Sequence, residues 1–253
     1  MKYDPLEEEK RWYVKGSSGQ GGSRPLPLRH QFAHNHVRSR LREILVDLGC
    51  KGTSSILSVG CGTGEEIIHT SQVSRNVIGV DISDTALRTF NSRGFQGILA
   101  DARALALRSE SFDYVIASGF LHHLVGQGNL TEYLVELTRV TRWGGHVIAL
   151  EPNSFNVSGL LMNVFNTIKP GITGLVPHER ALSPLYVPRV FRRAGLTQVK
   201  CIAASYVWNR LPLAISKLIA RHEDGIRYRK PFSLFGWFQI VYGQKAKGQG
   251  TTS

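Results

Sequence analysis

No stretch of this 253-residue chain approaches the ~20 consecutive apolar residues that a membrane-spanning helix needs, so no such helix is expected. Cysteine is scarce: Cys50, Cys61 and Cys201 are scattered and odd in number. No pair has the spacing of a disulfide framework or a redox dithiol, which predicts reduced thiols. His, Cys, Asp and Glu never cluster at metal-ligand spacing, so no metal is expected. There is no internal repeat. The opening segment Met1–Lys10 is polar and lacks the apolar core of a secretory signal. Together these absences predict a globular cytoplasmic protein.

Acidic residues are nearly missing from one end. Residues 186–253 hold 12 Lys and Arg against 2 Asp and Glu, a net +10 of the chain's +12. Residues 56–185 hold 9 against 11, a net −2. A basic end of this kind attracts RNA, anionic lipid or an acidic small molecule, or is simply a solvated surface. The apolar stretch Leu211–Ala220, followed by Arg221, Arg227, Arg229 and Lys230, reads either as an interfacial membrane contact or as ordinary packing.

What is present is a strand, a glycine turn and a helix start in Ile56-Leu-Ser-Val-Gly-Cys-Gly-Thr-Gly-Glu65. Gly60, Gly62 and Gly64 let the backbone come against a ligand, as at the carboxyl edge of open α/β sheets. A dinucleotide fingerprint needs another glycine at position 65, where Glu65 stands, with Glu66 after it. Two carboxylates there repel a pyrophosphate. The turn suits a positively charged nucleoside without phosphate, and a nicotinamide cofactor is disfavoured. Val77–Asp81 follows as a second strand ending in an acid at the interval of a ribose-binding residue. Ile98–Asp101, Phe112–Ser118 and Gly144–Pro152 supply three further strands, and Thr197–Val207 and Phe235–Gly243 two more. Apolar residues at helical spacing predict helices at 36–48 and 130–140, and another beginning at Ser83 or Asp84. Strands alternating with helices make an α/β protein.

In this order and spacing the motifs resemble those of the class I S-adenosylmethionine-dependent methyltransferases of small molecules, firmly over residues 37–152 and loosely to 244. The resemblance implies a Rossmann-like, doubly wound, seven-stranded sheet, mostly parallel with an antiparallel last strand. It implies an N-terminal arm or cap at 1–35, a domain at 36–245 with a substrate-side insertion at 153–183, and a flexible tail at 246–253. S-adenosylmethionine is the implied cofactor. It would be bound by Ser58, Gly60, Cys61, Gly62 and Gly64, by Asp81 and Ile82 on the ribose, by Asp101 and Ala102 near the adenine, and by Ser118. Ser58 departs from the family, in which many members carry an acid there to orient the methionine amino group. Glu65 is the carboxylate expected to compensate.

Ser118-Gly-Phe-Leu-His122-His123 ends the fourth strand, where the methyl group should lie. Either histidine can serve as a general base, His123 ahead of His122, or both are structural. Glu151, His178, Glu179 and Arg180 are candidate substrate contacts. The expected activity is methyl transfer, with oxygen the favoured acceptor atom of a small-molecule or lipid-linked acceptor. Peripheral contact with an anionic membrane surface is compatible with the basic end. RNA or protein methylation is the second reading, and RNA is the less favoured partner because no Asn-Pro-Pro-Tyr-type motif follows the fourth strand. A non-catalytic cofactor-binding scaffold is the third.

Overall fold

The computed structural model describes residues 26–125, 128–169 and 179–246. The calls on the 1–25 part of the arm, on most of the 246–253 tail and on His178 lie outside these residues.

The chain runs through β1 (Ile56–Val59), β2 (Val77–Asp81), β3 (Gln96–Leu99), β4 (Phe112–Ser118), β5 (Thr141–Pro152), β6 (Leu196–Ser205) and β7 (Phe238–Lys245). These form one sheet in the order β3-β2-β1-β4-β5-β7-β6. β1 to β5 pair in parallel, and β7 lies antiparallel to both β5 and β6. This is the expected doubly wound α/β sheet. All four residues of β1 are buried, as a central parallel strand with both faces covered requires. β5 starts three residues before the Gly144-Gly145 turn expected to open it, because Thr141 already pairs with Phe112 and the register then slips to Tyr114–His146. β7 starts at Phe238 rather than Phe235, whose segment forms a short 3-10 turn instead.

Seven helices flank the sheet among the described residues: α1 (Leu28–Asp47), α2 (Ile67–Thr70), α3 (Asp84–Ser92), α4 (Leu130–Val140), α5 (Val157–Ile168), α6 (Val187–Arg193) and α7 (Leu213–His222). Ser83 caps α3 by accepting the Ala86 amide at 3.2 Å, and Asn129 caps α4 through the Thr131 amide. One core cluster packs α4 and α6 on β4, β5 and their neighbours, and a second packs α1 and α3 on the opposite face.

The main correction is α1. It starts directly after Pro27, not at 36, so residues 28–35 of the expected arm are helix. Ala33, Val37, Leu41, Ile44 and Leu45 form its buried stripe. Its position is set by a buried ionic network. Glu223, 2% exposed, accepts from His36 Nε2 and Arg40 Nη2 on α1, each at 2.7 Å, and from Ser205 Oγ and the Tyr206 amide at the end of β6. Arg227, also 2% exposed, pairs with Glu43 of α1 and with Asp224. Arg227 therefore does not belong to an exposed basic surface, as its place after the apolar 211–220 segment suggested. Lys245 is likewise buried, donating to the Arg139 and Thr141 carbonyls.

Burial alone would push the Glu223 carboxyl up, but the hydrogen bonds from His36, Arg40 and Tyr206 outweigh it and hold the group below its ordinary range. Its contribution is thus complete above the unfolded carboxylate pKa and is lost as pH falls through the lower folded value. Glu223→Ala removes the buried partner of Arg40 Nη2, His36, Ser205 and the Tyr206 amide at once, and urea unfolding at pH 7 is expected to show a loss of about 3 kcal/mol. Below the carboxylate range the gap between variant and wild type should narrow.

Candidate functional site

A cavity of about 320 Å³ opens at the carboxyl edge of the sheet. Its floor is the turn after β1, its sides are the start of α3 and the end of β4, and α1 covers it with His34, Val37 and Arg38. The folded part of the expected arm is therefore a wall of the site. Burial first, and Arg38 second, push the His34 imidazole down to about 4, so this wall is neutral there.

The turn itself is held by its own backbone. The Cys61 amide donates to the Val80 carbonyl, Gly62 to Asp81 Oδ2 at 2.8 Å, and Gly64 to the Cys61 carbonyl. These three amides shape the turn. Gly60 and Gly64 have φ of +66° and +81°, and a Cβ on Gly60 would stand 2.2 Å from the Phe120 ring. The glycines are thus required both by conformation and by packing. Cys61 is buried and its thiol is pushed far up by burial, which keeps it protonated.

Asp81 ends β2 with its carboxylate between the turn and α3: Oδ2 takes the Gly62 amide and Oδ1 the Ser83 amide, both at 2.8 Å. Ile82 follows, half-buried. Asp101 accepts the Arg103 amide and is paired with its guanidinium, while Ala102 is buried in the core. Asp101 and Ala102 lie outside the walls of the cavity, whereas Ser118 and Gly119 are part of them.

Both acids of the turn line the cavity, and the one bonded to Ser58 is Glu66 rather than Glu65. Glu65 is half-exposed and paired with Arg38 of α1. Glu66 is buried, lines the cavity, and accepts from Ser58 Oγ at 2.9 Å. Burial pushes its carboxyl up to about 7, against the hydrogen bond from Ser58. The sequence placed both acids in the turn, but only the fold shows which one turns inward.

On the β4 side, Glu151 is 1% exposed and faces the chain rather than a substrate. Its carboxylate accepts the Phe120 and Leu121 amides at 3.1 and 2.7 Å, and also His122 Nδ1 at 2.8 Å. Glu151 is therefore corrected from substrate contact to the clamp of this loop. His122, not His123, lines the cavity. His123 Nδ1 lies 3.0 Å from Glu179 Oε1, and the two imidazole centroids are 4.1 Å apart. His122, His123 and Glu179 bring three donor atoms within 4.8 Å of one another, a cluster that linear spacing hid because 55 residues separate its two halves. Arg180 is turned to the carbonyls of Glu179 and Asn166 and lines a separate cavity of about 290 Å³.

The family profile described as a methyltransferase domain matches residues 57–149. That span holds the glycine turn, Asp81, Glu66 and the His122–His123 loop. Residues 57–149 are thus a methyltransferase domain by sequence. Among curated relatives, the probable tRNA methyltransferase 9B of Homo sapiens is 30% identical over 109 residues, 43% of this chain and 23% of that protein. The demethylmenaquinone methyltransferase of Staphylococcus aureus is 32% identical over 121 residues, 44% of this chain and 48% of that protein. The chain thus matches less than half of these relatives' lengths. In structure it is similar to a Thermotoga maritima protein described as a SAM-dependent methyltransferase, possible histamine N-methyltransferase. The TM-score is 0.66 at 18% identity, covering 95% of this chain and 96% of that one.

S-adenosylmethionine is the cofactor of this domain, and the cavity suits it. Its β4 side is open at Gly119, where a Cβ would meet nothing nearer than 3.9 Å. Burial holds the Glu66 carboxyl at about 7, and a positive partner such as a sulfonium or an ammonium favours its ionised form.

Two outcomes follow for the methyltransferase domain. Gly60→Ala puts an L residue at positive φ, costing about 1–2 kcal/mol, and displaces Phe120. Thermal melting should show the destabilisation. Glu66 binds its proton more tightly folded than unfolded, so its ionisation withdraws stability as pH rises from 4.5 through about 7. Glu66→Gln should abolish that decline and exceed wild type above pH 7 by on the order of 3 kcal/mol at most, read by urea unfolding across pH.

Proposed function

We propose that the protein transfers a methyl group from S-adenosylmethionine to an oxygen of an apolar small-molecule or lipid-linked acceptor. The observation that carries the choice of acceptor is the exposed apolar face of α5. Leu160, Leu161, Val164, Phe165 and Ile168 are each at least 41% exposed on one helix. Such a contiguous face marks a site for an apolar partner. α5 is tied to the His123 side of the site, because Asn163 binds the Ala181 backbone and Asn166 the Glu179 carbonyl. It belongs to the insertion expected to cover the substrate mouth.

The cofactor supplies an activated methyl on a sulfonium. In the reading proposed here, Asp81 holds the ribose hydroxyls and Glu66 meets the positive charge. Ser118 and Gly119 border the methionine end, and His122 and His123 orient the acceptor hydroxyl. Orientation is the main catalytic contribution to an in-line displacement. Acceptor oxygen forms the new bond to the methyl carbon as the carbon–sulfur bond breaks, S-adenosylhomocysteine leaves, and the hydroxyl proton passes to the site. Exposed basic residues such as Arg221 at the end of α7 fit an acceptor held at an anionic lipid surface. No described helix is long and apolar enough to cross a membrane. The relative named for tRNA methylation keeps RNA as the second reading.

Calorimetry should show S-adenosylmethionine binding in the micromolar range, lost in Asp81→Ala. At pH 6 binding should release protons, seen by varying buffer ionisation enthalpy, and Glu66→Gln should release none. Radiolabelled methyl should pass to quinol or lipid acceptors in detergent and leave tRNA unlabelled. Labelled tRNA with unlabelled lipids would overturn the choice of acceptor.

A further inference from the structure

We propose that His122, His123 and Glu179 form a divalent metal site at the edge of the cofactor cavity. One donor atom from each lies within 4.8 Å of the others, and His123 Nδ1 and Glu179 Oε1 are already 3.0 Å apart. Zinc ligands stand about 2.0–2.2 Å from their ion, so three such atoms can close on one ion through side-chain adjustment alone. Two imidazoles and one carboxylate are a donor set for zinc, manganese, iron or cobalt.

Two independent features point to a cation. The first is Glu179. Its side chain is 2% exposed, and its Oε2 has no hydrogen-bond partner. A buried carboxylate oxygen left without a partner is costly, and a metal ion is one of the few groups that satisfies it. The second is the Glu151–His122 pair. Glu151 takes Nδ1 of His122 at 2.8 Å, which fixes the ring and leaves Nε2 as the ligating nitrogen. Metal-binding histidines are held in this way by a carboxylate behind them.

The site offers three protein ligands, the number that leaves a position open for an outside molecule. His122 borders the cavity with Ser118 and Gly119, so the open position belongs at the methyl-delivery edge. The occupant is then an oxygen of the acceptor, a phenolic, enolic or carboxylate group. Coordination lowers the pKa of a bound hydroxyl and orients it. This last step rests on the methyltransferase reading; the metal site does not.

The test uses the full chain stripped with a chelator and then dialysed against Zn²⁺ alone, with bound metal measured on wild type, His123→Ala and Glu179→Gln. S-adenosylmethionine binding and melting temperature are measured on the same samples. Wild type is expected to hold about one equivalent, and each variant to bind Zn²⁺ at least about 10-fold more weakly while keeping its fold and its cofactor affinity. Failure of wild type to bind stoichiometrically, or equal affinity in folded variants, overturns the site. Zinc binding by a wild type that ignores S-adenosylmethionine would leave the site standing and remove the proposed reaction instead.

Discussion

The carboxylate of Glu151 is the contact on which both halves of the site depend. It closes β5 and reaches across to three successive amides after β4, so the loop cannot leave the sheet edge without stranding a buried charge. Two consequences follow from one anchor. Phe120 is laid against Gly60, which is why the first glycine of the turn tolerates no side chain. His122 is held with one nitrogen occupied and its ring at the cavity wall. The cofactor turn and the histidine cluster are thus fixed relative to each other by an acid that need touch neither ligand.

A second constraint lies on the far side of the cavity. α1 precedes the sheet in the chain, yet it is pinned by Glu223 and Arg227, about 180 residues later. The pin brings together the first helix, the end of β6 and the segment before β7, and so sets where His34 and Arg38 stand over the glycine turn. Much of the energetic cost of burying these charges is offset by their mutual hydrogen bonds. The apparent basicity of the C-terminal end is reduced accordingly, since Arg227 and Lys245 are spent inside the fold.

The strands and the glycine turn were legible because their signals are local. A run such as Ile56–Val59 bounded by glycines, or Ser83 before an apolar-periodic segment, contains its own reason for being a strand or a helix start. The roles of the acids were not legible in the same way. Glu65 and Glu66 are adjacent and chemically identical, and which one is buried is decided by Arg38 of α1 and Ser58 of β1. Glu151 read as a substrate contact because its partners are backbone amides 29 to 31 residues earlier, which leave no trace in composition. The His122–His123–Glu179 cluster escaped for the same reason, its parts being joined only by the packing of the segment after α5. The helix was read from 36 because its apolar periodicity was followed only from Val37, yet the stripe continues back through Ala33 towards Pro27.

The central claim is that S-adenosylmethionine occupies the cavity between the glycine turn and α1. Hydrogen–deuterium exchange with and without the cofactor tests it most directly. The account predicts slowed exchange in the peptides covering residues 60–66 and 34–41, the floor and the roof, with no change in β6. Unaltered exchange in both segments at saturating cofactor, or protection confined to the basic C-terminal end, would contradict it.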